Sequence, residues 1–114
     1  MFEQVWLGAS GKRYRFQVFG NDTTWPYWSG VYLLCSQNEL GWLVHSIDHC
    51  DDFAETLTPV HGKLIPPGCL IASHVHLILE STPIHRLAIV EDLVPTLPLS
   101  SQCLQSRRQF AHVA

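Results

Sequence analysis

No apolar run in this 114-residue sequence approaches the roughly 18 residues that a membrane-spanning helix needs. The opening MFEQVWLGASGKRYRF lacks a basic start followed by an apolar core, so Sec export is not expected and a cytoplasmic location is. Cysteine is sparse and scattered. Cys35, Cys50, Cys69 and Cys103 form no CxxC pair and no dense framework, which points to reduced, mostly buried thiols rather than a disulfide scaffold. There is no GxSxG elbow, no phosphate-binding glycine loop and no HExxH, which sets aside the enzyme classes built on them. Repeats and low-complexity segments are also missing. What remains is 46% hydrophobic and only 15% charged, enough apolar surface to offset chain entropy in one domain.

Positive charge is missing from the middle of the chain. Lys12, Arg13 and Arg15 lie near the start and Arg107 and Arg108 near the end. Between Phe16 and His85 the only basic residue is Lys63, against Asp22, Glu39, Asp48, Asp51, Asp52, Glu55 and Glu80. Phosphate neutralisation supplies most sequence-independent nucleic-acid affinity, so this central surface is ill suited to a DNA backbone.

Residues 3–7, the turn Gly8-Ala9-Ser10-Gly11 and residues 13–19 read as a hairpin, with Tyr14, Phe16 and Val18 alternating against Arg13, Arg15 and Gln17. A second hairpin joins GVYLLCS from Gly30 to GWLVHSI from Gly41. Asp51 or Asp52 is placed to cap a short helix ending near Leu57, residues 58–68 read as loop, and residues 69–80 form a strand candidate. Thr82 as N-cap and Pro83 at the first helical position open a helix that Pro95 stops. On it Ile84, Leu87, Ala88 and Val94 make one apolar side with Glu91 projecting among them, an acid to be paired, metal-bound, protonated or at the mouth of a cleft, or else simply reaching the edge or bonded to backbone. The tail from Ser100 carries a weak helix pattern with Cys103, Leu104, Phe110 and Ala111 on one side.

Gly30-Val31-Tyr32 after a tryptophan-rich loop, a strand a dozen residues on, a short helix, HVHL at His74–Leu77 and RLAIVEDLV at Arg86–Val94 follow an order that resembles the GIY-YIG nuclease superfamily across residues 30–99. The resemblance matches Tyr32 to the first motif tyrosine and Glu91 to the glutamate that holds one divalent metal, Mg²⁺ or Mn²⁺. The second motif reads Leu43-Val44-His45, with leucine in place of the tyrosine and His45 in place of the glycine. The helix DDFAETL has Ala54 or Thr56 where the family keeps its arginine, His61 falls near the family histidine, and Pro98-Leu99 is followed by Ser100 instead of asparagine. Losing one charge-stabilising group costs about 10² to 10³ in rate, so their joint loss implies a catalytically retired domain. Tyr32 and Glu91 are then expected to survive as a hydrogen-bonded pair.

His74 and His76, two apart on a strand, point the same way and present a two-imidazole geometry for zinc or another metal, although no second close pair other than His45 and His49 is evident. The loop Trp25-Pro26-Tyr27-Trp28 reads either as core beneath the sheet or as an exposed patch in which Trp25, Tyr27 and Trp28 meet a partner.

These readings converge on an α/β (α+β) domain over residues 1–99: a small mixed or antiparallel sheet, extended by an N-terminal hairpin at 1–19 and flanked by two or three helices, with residues 100–114 as a tail. The expected function is noncatalytic: a small cytoplasmic regulatory protein of bacterial or phage type, without a cofactor, that docks on a macromolecule, a protein more than a nucleic acid. The alternatives are a divergent metal-dependent nuclease using Tyr32, His45 or His61, and Glu91, and a metal-binding module built on His74 and His76.

Overall fold

A computed structural model describes residues 2–20, 24–58, 71–101 and 103. Strands β1 (Phe2–Leu7), β2 (Arg13–Gly20), β3 (Gly30–Asn38), β4 (Gly41–Cys50) and β5 (His74–Leu79) form one sheet in the order β1-β2-β5-β3-β4. Every neighbouring pair is antiparallel, so the sheet is not mixed; the parallel contact is an isolated bridge from Val44 to Leu99 beyond the edge of β4. Helix α1 spans Phe53–Leu57 and helix α2 spans Pro83–Leu93. The expected hairpins, caps and helix starts are where the residues placed them. Asp52 is the cap of α1, its Oδ1 accepting from the Ala54 and Glu55 N–H groups. Pro83 opens α2 after Thr82, whose side chain makes no capping bond. Residues 101 and 103 are helical and Cys103 is buried; Leu104, Phe110 and Ala111 of the expected tail helix lie outside the described residues. Cys35 and Cys50 are free thiols, and Cys69 lies outside the described residues. No helix among the described residues is long and apolar enough to cross a membrane.

The apolar run of β3 is explained by its place: flanked by β4 and β5 and covered on both faces, residues 30–35 are all buried. Val31, Leu33 and Cys35 face one layer with Phe16, Val44, Val90 and Leu93, where α2 packs. Tyr32 and Leu34 face the other, with Trp25, Phe53, Leu57, Val75 and Leu77, where α1 packs. Gly30 sits where backbone and ring close in: a Cβ there would come within 2.0 Å of the Ile78 carbonyl oxygen and 2.8 Å of Phe53 Cζ.

The phase of α2 differs from its sequence pattern. Arg86, Val90 and Leu93 face inward, whereas Ile84, Leu87, Ala88 and Glu91 are exposed. The inward arginine is tolerated because its charge is paired: its Nη2 meets Asp51 and its Nη1 donates to the Glu80 carbonyl at 3.4 Å, while its buried Nε has no partner among the described residues. The far end of α2 is fixed by Asp92, which accepts from Ser10 N–H at 2.8 Å, Ser10 Oγ at 2.6 Å and Tyr14 Oη at 2.7 Å. The GASG turn thus docks the N-terminal hairpin onto the helix. Burial and the neighbouring Asp92 push the Tyr14 phenol up to about 12.

Candidate functional site

The sequence-matched catalytic positions do not converge. Tyr32 is buried on the α1 side of the sheet, while Glu91 stands exposed on the outer face of α2, across the sheet from it. The expected Tyr32–Glu91 pair is therefore corrected: alternation along β3 sends Tyr32 away from the layer that carries α2. Glu91 is also not a buried acid, because Ile84, Leu87 and Ala88 of the expected apolar side face solvent with it and only Val94 is partly covered. His45 is the extra residue of a β-bulge, since Leu34 pairs with Ser46 and Cys35 with Val44. The bulge turns its ring toward Ser36, whose Oγ lies 2.8 Å from Nε2 and also donates to the Ile71 carbonyl at 3.1 Å. His45 Nδ1 is buried without a partner among the described residues, and burial holds the ring's pKa below its ordinary value. Ser36 lies four residues beyond Tyr32, about 13 Å along the strand, so Tyr32 and His45 are not neighbours. His61 lies outside the described residues.

His74 and His76 do share a face, but aromatic packing occupies it. Trp6 Nε1 donates to His76 Nδ1 at 3.0 Å, and the Trp42 ring stands edge-on to both imidazoles with centroids 5.0 Å from His74 and 4.5 Å from His76. Trp42 Nε1 in turn donates to Gln4 at 3.2 Å. His76 is fully buried and its Nε2 has no partner among the described residues. Burial first, and His74 second, lower its pKa to about 4. A nitrogen already accepting from an indole cannot also ligate a metal, and no group of three or more His, Cys, Asp or Glu side chains placed to hold one occurs among the described residues. The donors that the resemblance would require for Mg²⁺ or Mn²⁺ are likewise not assembled around Glu91.

The aromatic loop divides. Trp25, read as a partner contact, is 7% exposed and packs edge-on against Phe19, so it belongs to the core. Tyr27 and Trp28 are 83% and 57% exposed. Their backbone is nevertheless held firmly: Phe53 N–H donates to the Trp28 carbonyl at 2.9 Å, Ala54 N–H to the Pro26 carbonyl at 3.1 Å and Glu80 N–H to the Ser29 carbonyl at 3.1 Å. The loop thereby satisfies the first amide donors of α1 and ties itself to the end of β5. Trp28, Ser29, Leu79, Glu80 and Ser81 line an open cleft of about 400 Å³. The Glu80 carboxyl is held below its ordinary range, first by the Thr82 N–H and then by His85, whose Nδ1 lies 3.4 Å away.

No protein-family model, curated protein or solved structure matches the chain. The residues alone therefore carry the functional argument. Sequence reasoning singled out Tyr27 and Trp28 but missed Leu79, Glu80 and Arg86. The available signal was Arg86 itself, a lone cation in the helix whose partner, Asp51, is 35 residues away.

Proposed function

We propose that this chain is a noncatalytic cytoplasmic domain of GIY-YIG-like descent that docks on a macromolecular partner, a protein rather than a nucleic acid. The observation that carries this reading is the exposed pair Tyr27 and Trp28 on a backbone pinned by three hydrogen bonds beside an open, shallow cleft. Tryptophan and tyrosine dominate binding hot spots, and a surface ordered in advance loses little entropy on binding. Glu80 at the cleft and the exposed Asp51 beyond it disfavour a phosphate backbone. Catalytic retirement is supported by the absent second tyrosine and arginine and by the separation of Tyr32 from Glu91.

The test uses the intact protein and its Tyr27→Ala/Trp28→Ala variant as bait in extracts of the native host, alongside incubation with supercoiled plasmid and RNA in Mg²⁺ or Mn²⁺. Loss of a specific protein from the variant supports docking. Cleavage that disappears in Glu91→Ala replaces this reading with the nuclease alternative.

A further inference from the structure

We propose that the cleft between Trp28 and Glu80 receives a basic side chain of the partner protein, arginine in the first place. This rests on the docking reading above and names the chemistry of the partner at that surface.

Two kinds of surface meet in the cleft. Trp28 and the half-exposed Leu79 supply an apolar wall, and the Glu80 carboxylate stands beside them. Asp51, 90% exposed, is joined to Glu80 through Arg86, which binds the Asp51 carboxylate with one nitrogen and the Glu80 carbonyl with another. Arg86 is only 3% exposed, so its charge stays behind the surface. Facing solvent are the exposed Asp51 carboxylate, the partly exposed Glu80 carboxylate, whose Oε1 accepts from the Thr82 N–H and lies beside His85 Nδ1, the exposed His85 ring and the aromatic pair.

An anionic occupant would meet Glu80 and Asp51. A purely apolar one would strip water from Glu80 without replacing its hydrogen bonds, at a cost that apolar contact with one indole does not offset. A long basic side chain satisfies both parts: its methylene stem lies along Leu79 and Trp28 while its head reaches the carboxylate. Arginine adds stacking of a planar cation on the indole and a forked fit to the carboxylate, which lysine lacks. The space, about 400 Å³, is at the lower end of ligand pockets and suits one long side chain with part of its neighbour.

The experiment is an NMR titration of the ¹⁵N-labelled protein, with the Trp28 indole signal assigned through Trp28→Phe. The probes are the capped peptides Gly-Leu-Arg-Leu-Gly, Gly-Leu-Gln-Leu-Gly and Gly-Leu-Glu-Leu-Gly. The expected result is a saturable shift of the Trp28 indole and Glu80 amide with the arginine peptide, a smaller one with the glutamine peptide and none with the glutamate peptide. Glu80→Gln, an isostere whose amide oxygen can still accept from the Thr82 N–H, should weaken arginine-peptide binding by roughly threefold, the size of one solvent-screened ion pair. Equal shifts with the arginine and glutamine peptides, no saturable shift at Trp28, or unchanged affinity in Glu80→Gln would overturn the proposal. If the arginine peptide fails while Tyr27→Ala/Trp28→Ala still loses a captured partner, the basic-side-chain assignment falls and docking stands. If that variant captures everything the parent does, docking itself falls.

Discussion

Acid should destabilise this protein through His76 before its carboxylates titrate. The neutral ring accepts the Trp6 N–H on Nδ1, which leaves its proton on Nε2. Protonation would put a second donor head-on against the indole and place a charge in a layer formed by Phe16, Leu33 and their neighbours. The ring's pKa falls from 6.5 in the unfolded chain to about 4 in the folded protein. The unfolded chain therefore binds the proton first: the stabilisation is complete above pH 6.5, declines as pH falls from 6.5 to 4, and levels off below that. At 1.36 kcal/mol per pKa unit the loss is about 3 kcal/mol, a large share of the roughly 5–15 kcal/mol typical of a domain. Urea unfolding between pH 7.5 and 3.5 measures it. The control is His76→Gln, whose amide oxygen can still accept from Trp6 but does not titrate. Its stability should fall less steeply over the same window, retaining a residual slope from His45, whose pKa burial also lowers. A parent protein equally stable at pH 7 and 4.5, or a variant with the parent's slope, would refute the reasoning.

Gly30→Ala should lower stability by about 2 kcal/mol or more in urea unfolding, because the new methyl meets the Ile78 carbonyl, a backbone group that cannot swing aside. Asp92→Ala removes three hydrogen bonds and should lower the melting temperature measured by circular dichroism, with faster amide exchange in the Gly8–Gly11 turn. Phe53→Ala should cost about 3–5 kcal/mol, whereas Trp28→Ala should stay within about 0.5 kcal/mol of the parent, and paired denaturation curves check both. Protein purified without an affinity tag should carry no stoichiometric zinc at His74 and His76 in elemental analysis, since their face is taken by Trp6 and Trp42.

Local chemistry made much of the fold legible. Residues 13–19 alternate as a half-buried strand, the apolar run from Gly30 reads as a strand of a hairpin, and Asp51 or Asp52, Thr82 and Pro83 mark helix starts that need no tertiary information. What local chemistry could not reveal depended on partners distant in the chain. Hydropathy treats Arg86 as a surface residue, and only Asp51 and the Glu80 carbonyl, supplied by other elements, make its inward orientation affordable. Once Arg86 turns in, Ile84, Leu87 and Glu91 turn out. The same holds for the candidate sites. His74 and His76 share a face as strand periodicity requires, yet nothing near them in sequence announces Trp6, 70 residues from His76. Trp25 and Trp28 flank one proline in the same loop, but only the position of Phe19 decides that the first goes in and the second stays out.

Docking through the aromatic cleft is tested most directly by quantitative capture from native-host extract, comparing the intact protein with Tyr27→Ala/Trp28→Ala after both are shown to unfold at the same urea concentration. At least one protein should fall roughly thirtyfold in recovery on the variant, the effect of losing about 2 kcal/mol at a hot spot. Identical recoveries from the two equally folded baits would contradict the account.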